Sequence, residues 1–194
     1  MSASRAGEAV LVRHAETEWS IAGRHTGRTD IPLTEHGRVL AAGLRERLLV
    51  WSFDLVLVSP SVRARETCEL CGLGADAQPR EDLLEWDYGD YEGLTTAEIR
   101  AERPGWQLWR DGCPGGESVA DVGARADRVA AEIAWSHANV AVFSHGHMLR
   151  VLGARWMTLD ASVGSRLGLS TAALCVLGHE RETVVIARWN DTGV

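Results

Sequence analysis

The amino-acid sequence predicts an α/β fold in which a mostly parallel sheet carries helices on both faces. Three short, continuous apolar runs lie at residues 9–12, 55–58 and 140–143, a pattern typical of buried strands. Stretches with apolar residues at helical spacing separate these runs along the chain. Strands that alternate with helices in this way favour a parallel sheet, because each helix returns the chain to the edge at which the previous strand began.

The first half of the chain supplies two strand–helix pairs. The strand "AVLV" is followed by "LTEHGRVLAAGLRERLLVW", in which Leu40, Leu44 and Leu48 share one helical face and Thr34 fits the N-cap. The next apolar run, "FDLVLVSP", stops at Pro60. Because proline suits the first position of a helix, a helix that begins at Pro60 is predicted over "SVRARETCEL".

The second half begins with the segment "ESVADVGARADRVAAEIAW", where Ser118 and Asp121 form a capping box ahead of the apolar positions of a long helix. A third buried strand, "NVAVFSHGH", and a helix, "MLRVLGARWM", follow. The runs "TAALCVLG" and "ETVVIARW" predict two closing strands, paired as a hairpin through residues 178–180. Between the second and third strands, residues 80–116 are rich in Gly and Trp, which predicts a lid-like insertion that walls a site rather than filling the core.

Composition sets the class of protein. The chain has 194 residues, of which 45% are hydrophobic and 24% charged, so one globular domain over residues 1–194 is expected. A net charge of -7 argues against a sequence-independent nucleic-acid binder. No apolar run reaches the roughly 18 residues of a transmembrane helix, and the apolar part of "MSASRAGEAVLV" is too short for a signal peptide. The cytoplasm is therefore the expected location, with no membrane partner.

Two residue types carry further information. All 20 basic residues are Arg, which removes every lysine-dependent catalytic scheme but leaves guanidinium groups able to bind phosphate through two parallel hydrogen bonds. Cys68 and Cys71 form a CxxC pair that can indicate redox chemistry or zinc. The pair lies inside a predicted helix and no second CxxC exists, so packing cysteines are the favoured interpretation.

The ends of the three buried strands carry the chemistry. Arg13 and His14 follow the first strand, Arg63 lies just beyond the second, and His145 follows the third. Ligands of parallel sheets collect outside the carboxyl ends of the strands, so these side chains are predicted to converge. An adjacent Arg-His pair repels itself unless an oxyanion is bound, and guanidinium groups match phosphate oxygens. Positive neighbours keep His14 unprotonated and nucleophilic, and the helix predicted at Pro60 adds its positive end.

Phosphoryl transfer from an alcohol also requires a proton donor. The segment "LLEWDYGDYEG" offers Glu85, Asp87, Asp90 and Glu92, and a partly buried member of this set can hold its proton. Spacing alone does not choose among the four. A metal site is not expected, because no carboxylate lies at a familiar ligand spacing from the histidines, and no cofactor is indicated.

Four motifs in order, "LVRHAETEWS", "SPSVRARET", "LLEWDYGDYEG" and "FSHGHMLRVL", resemble the histidine phosphatase superfamily, also called the phosphoglycerate mutase-like family. The match covers nearly the whole chain. The resemblance implies a phosphoglycerate mutase-like fold with His14 as the phosphoryl acceptor. It also implies that Arg13, Arg63 and His145 clamp the phosphoryl group and that Glu85 donates the proton.

Some positions depart from the family pattern. Ala15 replaces the usual glycine after the Arg-His pair, a change that is tolerable unless a left-handed backbone is required. Ser20 replaces a frequent asparagine and still offers a hydroxyl. The segments "GRHTGRTDIPLTEHGR" and "LWRDGCPGGES" resemble two small phosphatase types within the family, the sedoheptulose-bisphosphatase type and a broad-specificity acid phosphatase type. The insertions of the cofactor-dependent mutases are lacking.

Further candidate residues are predicted to lie around the site at the carboxyl ends of the strands. The substrate-binding set adds the following residues to the two arginines: Ser20, Thr26, Gly27, Tyr88 and His147. His147 is predicted either to face the substrate or to cap a helix. His25 and Thr26 lie in a glycine-flanked loop that is predicted either to wall the pocket or to lie on the surface. The remaining histidines (His36, His137, His179) are predicted to be surface residues. Trp106 and Trp109 lie at helical spacing and are interpreted as core rather than as a sugar platform.

These observations predict a metal-independent phosphomonoesterase that hydrolyses small phosphorylated metabolites, with sugar phosphates favoured by the resemblance, through a phosphohistidine. One alternative keeps the chemistry but returns the phosphoryl group to a second hydroxyl, as a mutase does. Another is a non-catalytic phosphate-binding protein, which is disfavoured because all five reactive positions are filled. The expected partners are a small phosphorylated substrate and, in a homodimer, a second copy of the chain.

Overall fold

A computed structural model describes residues 7–193. Its six-stranded sheet comprises β1 (Ala9–Arg13), β2 (Leu55–Val58), β3 (Ala77–Pro79), β4 (Val140–Ser144), β5 (Leu174–Glu180) and β6 (Thr183–Asp191), in the order β3-β2-β4-β1-β5-β6. The first four strands pair in parallel, whereas β5 is antiparallel to β1 and β6 is antiparallel to β5. The predicted α/β class with a mostly parallel sheet is confirmed.

Seven α-helices accompany the strands: α1 (Glu18–Ile21), α2 (Glu35–Leu48), α3 (Val62–Leu70), α4 (Thr96–Glu102), α5 (Leu108–Asp111), α6 (Val119–Ser136) and α7 (Gly146–Trp156) within residues 7–193. Short 3-10 turns lie at Gly74–Asp76, Glu81–Leu83, Gly89–Tyr91 and Ala161–Arg166. Thr34 caps α2, and the Ser118–Asp121 capping box opens α6, both as predicted. None of the helices in this part of the chain combines the length and hydrophobicity needed to cross a bilayer.

Alternation along the strands gives the sheet two buried faces. On one face Leu11 and Val142 pack in a cluster with residues of α6 and α7. On the other face Val12 and Phe143 pack in a second cluster with residues of α2 and α3. Side chains of successive strand residues point to opposite faces, so continuous apolar runs are what a sheet covered on both sides requires.

Two predicted boundaries were wrong. Helix α3 begins at Val62 rather than Pro60, because Ser61 keeps an extended backbone as the N-cap and its hydroxyl faces His145. The hairpin between β5 and β6 turns at residues 181–182 rather than 178–180, because Glu180 still pairs with Thr183 and Arg181 takes the left-handed backbone of the turn (φ 56°).

The segment 80–116 is a cavity wall and also part of the core, which corrects the expectation of a wall alone. Its fully buried aromatic and aliphatic residues include Leu83, Trp86, Tyr88, Ile99 and Trp106, all in the cluster beneath α6 and α7. The structure supports the packing interpretation of the cysteines, since Cys68 and Cys71 are free and buried among α2 and α3. Burial raises the pKa of each thiol to about 12.

Candidate active site

Strand register brings the polar residues after β1, β2 and β4 to one edge of the sheet. Arg13 pairs with Ser144 in the parallel β1–β4 ladder, so the residues that follow, His14 and His145, are neighbours. The backbone N–H of His14 donates to the carbonyl of Ser144 (2.9 Å), and the two imidazole ring centroids are 5.2 Å apart. The predicted convergence at the carboxyl ends of the strands is therefore present.

The His14 ring is held in one tautomer. Its Nδ1 lies 2.8 Å from the carbonyl oxygen of Ala15, which can only accept, so Nδ1 carries the proton and Nε2 carries a lone pair. Burial lowers the pKa of His14 well below its usual value, and the charges of Arg13 and Arg63 lower it further. Ala15 is buried and has no left-handed backbone, so alanine fits this position without strain.

Three donors next to His14 are buried and lack a hydrogen-bond partner within residues 7–193: Arg13 Nε, Arg63 Nε and His145 Nδ1. Buried polar atoms are nearly always paired, because an orphaned donor costs roughly 1–3 kcal/mol. An anion with several acceptor oxygens would satisfy all three of these donors.

Backbone carbonyls hold the two guanidinium groups in place. Arg63 Nη2 donates to the carbonyls of Thr26 and Gly27 (both 3.0 Å), and Arg63 Nη1 donates to that of Thr29 (3.1 Å). Arg13 Nη1 donates to the carbonyl of Leu169 (2.6 Å). The loop after α1 thus holds both Nη atoms of Arg63, while its Nε has no hydrogen-bond partner within residues 7–193.

Gly146 permits a close approach of the backbone to Arg13. A Cβ on Gly146 would lie 3.3 Å from Cζ and Nε of that guanidinium. A larger residue at the start of α7 would therefore require the guanidinium to shift by a few tenths of an ångström.

His145 is the N-cap residue of α7 and is fully buried. The hydroxyls of Ser59 and Ser61 lie 2.7 and 3.2 Å from its Nε2. When these hydroxyls donate to Nε2, the single proton of the neutral ring is on Nδ1, the orphaned atom. Burial lowers the pKa of His145 well below its usual value, with Arg63 as the next cause, so the ring is a neutral donor.

Glu85 lies at the N-terminus of α7. Its carboxylate accepts the backbone N–H groups of Trp86 (3.0 Å), His147 (3.0 Å) and Met148 (2.9 Å), and it is one of the residues that line the same cavity as His14.

The other three acidic candidates point elsewhere. Asp87 lies 3.4 Å from Arg28 and caps Gly89, while Glu92 accepts the N–H groups of Gly27 and Thr29. Neither these two residues nor Asp90 lines the cavity. Geometry thus separates Glu85 from the alternatives that spacing left open.

The cavity outside His14 has a volume of about 530 Å³. Of the predicted site residues it is lined by Arg13, His14, Ser20, Thr26, Glu85, Tyr88 and His147. Arg63 and His145 are fully buried and do not line the cavity itself; together with Arg13 and His14 they form what we call the floor of the site. Gly27 does not line the cavity, because its N–H donates to Glu92 and its carbonyl accepts from Arg63. The Ser20 hydroxyl is engaged in the cap of α1, donating to the carbonyl of Thr17 (2.8 Å).

Sequence reasoning missed most of the outer cavity. The lining includes further residues that were not predicted: Arg24, Arg100, Gln107, Arg150, Ser165 and Leu169. His25, Trp106 and Trp109 complete the wall. The Arg150 guanidinium lies 4.9 Å from the ring centroid of Trp109, a cation–π contact. A signal for Arg150 existed, because residues three apart on a helix share a face and it lies three positions after His147. The histidines predicted for the surface, His36, His137 and His179, are exposed.

Charge in the cavity runs against that of the whole chain. The lining carries four arginines, Arg13, Arg24, Arg100 and Arg150, and a single carboxylate, Glu85, although the chain has a net charge of -7. A positive cleft in an acidic protein attracts anions to that cleft rather than to the surface at large.

A cavity at the carboxyl ends of parallel strands, with a neutral histidine between two buried guanidinium groups, defines a class of phosphoryl-transfer proteins. The chain belongs to the histidine phosphatase superfamily (branch 1), whose family model matches residues 9–192. This confirms the resemblance predicted from the four motifs.

The chain is similar to individual phosphatases over most of its length. An acid phosphatase of Mycobacterium tuberculosis is 42% identical over 95% of this chain and 92% of its own length. The sedoheptulose 1,7-bisphosphatase of Saccharomyces cerevisiae is 37% identical over 77% of this chain and 67% of its own length. Among solved structures, the product of a Mycobacterium tuberculosis open reading frame superposes with a TM-score of 0.90 at 42% identity, covering 98% of this chain and 100% of that one. A mycobacterial glucosyl-3-phosphoglycerate phosphatase in complex with VO3 has a TM-score of 0.85 at 30% identity, with 96% and 100% covered.

Proposed function

We propose that this chain is a metal-independent phosphomonoesterase that hydrolyses small phosphorylated metabolites, sugar phosphates above all, through a phosphohistidine on His14. The observation that carries the proposal is the set of three buried, unpartnered donors beside a neutral imidazole whose Nε2 holds a free lone pair. Relatives named for sugar-phosphate hydrolysis support the choice of substrate class.

In the first step the phosphoryl oxygens accept hydrogen bonds from Nε of Arg13, Nε of Arg63 and Nδ1 of His145. The Nε2 lone pair of His14 attacks phosphorus, the N–P bond forms, and the P–O bond to the leaving alcohol breaks. Donors already aimed at the phosphoryl group require no reorganisation as charge develops on its oxygens.

The alkoxide that leaves takes a proton from the protonated form of Glu85. Three backbone N–H groups, those of Trp86, His147 and Met148, hold the Glu85 carboxyl at the cavity. This position suits a general acid for the departing oxygen.

In the second step Glu85, now a carboxylate, accepts a proton from water. The hydroxide oxygen attacks phosphorus, the N–P bond breaks, and its electron pair returns to Nε2 of His14. Inorganic phosphate leaves and both side chains recover their starting forms. Neither step uses a metal-bound water.

The alternative of a mutase has support in a relative, since a 2,3-bisphosphoglycerate-dependent phosphoglycerate mutase of Brucella ovis is 36% identical over 74% of this chain. Phosphate-release measurements over a panel of sugar phosphates, bisphosphates and phosphoglycerates, with and without EDTA, test the proposal. Hydrolysis is expected to release free phosphate that EDTA does not reduce. Conversion of a phosphoglycerate into its isomer without free phosphate would instead favour the mutase, and binding without turnover would favour a phosphate-binding protein. A single domain, a cytoplasmic location and a homodimer remain predictions.

A further inference from the structure

The rings of His25 and His147 both contact the ring of Tyr88 and line the outer cavity, and neither ring takes part in the phosphoryl-transfer steps. The His25 ring lies 4.8 Å from the Tyr88 ring and the His147 ring lies 5.9 Å from it, both nearly edge-on. All three residues line the same cavity. Each imidazole is anchored through Nδ1 to a different kind of partner.

His25 is anchored by an acceptor. Its Nδ1 lies 2.7 Å from the carbonyl oxygen of Leu94, which cannot donate, so Nδ1 carries the proton. In the neutral ring Nε2 is then an acceptor. Within residues 7–193 this atom has no hydrogen-bond partner and is not among the buried unpartnered atoms, so it faces the cavity.

His147 is anchored by a donor. Its Nδ1 lies 2.7 Å from the hydroxyl of Tyr88, and that hydroxyl has no other acceptor among the described residues. Burial raises the pKa of Tyr88 well above its usual value and lowers that of His147 well below its own, so the tyrosine keeps its proton and the imidazole is neutral. The Tyr88 O–H therefore donates to Nδ1, and the ring proton lies on Nε2. The side chain is 23% exposed, so this N–H is available in the cavity.

From this pairing we propose that His25 and His147 read the hydroxyl groups of the leaving alcohol, His25 Nε2 as acceptor and His147 Nε2–H as donor, with Tyr88 as the positioning residue that fixes the His147 tautomer. An acceptor and a donor facing one cavity match vicinal hydroxyls, each of which both donates and accepts. The inference rests on the proposed function and names its leaving group as a polyol or sugar rather than a simple alkyl or aryl alcohol. Trp106 and Trp109 supply apolar surface in the same cavity for the carbon side of such a group.

The test compares three substrates. Ribose 5-phosphate and n-pentyl phosphate both release a primary alcohol, so they need the proton from Glu85 equally and differ in their hydroxyls. 2-Deoxyribose 5-phosphate lacks one of those hydroxyls. The wild-type protein is expected to show a kcat/KM for ribose 5-phosphate at least about tenfold above that for pentyl phosphate, as one or two hydrogen bonds provide.

Asparagine and glutamine separate the two ring nitrogens. An Asn amide occupies the place of Nδ1, and a Gln amide reaches the place of Nε2. His25→Asn and His147→Asn keep the anchors to Leu94 and Tyr88 but remove Nε2. Each is expected to lower kcat/KM for ribose 5-phosphate about tenfold and to change that for pentyl phosphate by less than about threefold. The Gln variants should regain most of the loss, and Tyr88→Phe should cost a few-fold with the same selectivity. His179→Asn, on the exposed face of β5, is the matched control.

The deoxy substrate allows a cycle in which a missing histidine nitrogen and a missing substrate hydroxyl are compared singly and together. If a histidine contacts the missing hydroxyl, the loss from its Asn variant and the loss from the deoxy substrate will be less than additive. Equal losses on ribose and pentyl phosphates, or wild-type activity that is indifferent to the hydroxyls, would overturn the inference. Failure of the proposed function is distinguishable, because the wild type would then also fail to hydrolyse p-nitrophenyl phosphate. Turnover of p-nitrophenyl phosphate without turnover of either ribose phosphate would overturn the inference alone.

Discussion

The floor and the outer wall of the cavity are built in different ways. The floor consists of Arg13, His14, Arg63 and His145, which lie at or after the carboxyl ends of strands β1, β2 and β4. His14, Arg63 and His145 are buried and Arg13 is partly buried, and three donors of this set have no partner within residues 7–193. The outer wall consists of loop and helix residues whose polar groups are largely satisfied, such as Arg150, which donates to the carbonyls of Gly164 and Ser165.

This difference separates chemistry from selectivity. A floor with orphaned donors is unfavourable when empty and is relieved only by an anion of suitable shape, so changes there should alter the rate for every substrate. A wall with satisfied groups can change without disturbing the reacting centre, so changes there should alter the choice of leaving group. Substitutions in the floor, where the effects should be largest, test that division.

The largest effect is expected at His14. His14→Ala removes the atom that forms the N–P bond, so phosphate release should fall below about 10⁻³ of the wild-type rate for every substrate. Rapid quenching under alkaline conditions, which preserve phosphohistidine, should show label from a ³²P substrate on the wild type and none on the variant. His36→Ala, on the exposed face of α2, is the control. A variant that keeps a tenth of the activity would rule out the covalent route.

The next effect is expected at Glu85, where floor and wall meet. Glu85→Gln keeps the shape and removes the proton, so hydrolysis of a sugar phosphate should fall by roughly 10²–10⁴-fold. Formation of the phosphoenzyme from p-nitrophenyl phosphate should be largely spared, because nitrophenolate leaves without a proton. Single-turnover kinetics with the two substrates measure the difference.

Asp87→Asn and Asp90→Asn are the matched controls for Glu85, because neither carboxylate lines the cavity. Both should leave the leaving-group dependence unchanged. An equal loss on both substrates in Glu85→Gln would make Glu85 a structural cap of α7 and return the aspartates as candidates.

A smaller effect is expected at Arg63. Arg63→Lys keeps the charge but removes Nε and the fork that holds the loop carbonyls, so kcat and kcat/KM should fall together by roughly 10²-fold. Steady-state kinetics distinguish this from a rise in KM alone, which would place Arg63 outside the reacting centre. Arg65→Lys, two residues along α3 and exposed, is the matched control and should retain the wild-type kinetics.

The same division explains what the sequence could predict. Arg13, His14 and His145 lie in the polar stretches that come directly after continuous apolar runs. Because such runs predict buried strands, these floor residues could be predicted from the sequence. Glu85 needed either the family resemblance or the structure, because its selection depends on the backbone N–H groups of a helix that begins 61 residues later.

The wall was largely beyond sequence reasoning. Arg24 and Arg100 reach the cavity through loop conformation and through a short bridge between Arg24 and Thr95, neither of which leaves a periodic pattern. For His25 the sequence left a pocket wall and a surface loop equally open, and the structure places it in the wall. Gly27 was placed on the substrate side because it lies in the right loop, but its N–H turns to Glu92. Direction within a loop depends on individual hydrogen bonds rather than on residue type.

The smallest effect is on stability, and it tests whether the floor is strained when empty. Burial lowers the pKa of His145 well below that of a histidine in the unfolded chain. As the pH falls through the unfolded value of about 6.5, the unfolded chain therefore gains a proton that the folded protein does not bind. The unfolded state binds more protons in this window, so the free energy of unfolding decreases as the pH falls from 7.5 toward 5.5.

In His145→Asn this contribution is absent, and the decrease measured by urea titration should be smaller by about 1 kcal/mol than in the wild type. Contributions from all other groups are common to both proteins and cancel in the comparison. A pH dependence that is the same in both would mean that His145 titrates in the folded protein as it does in the unfolded chain, so that its ring would not be held as the neutral donor on which the floor depends.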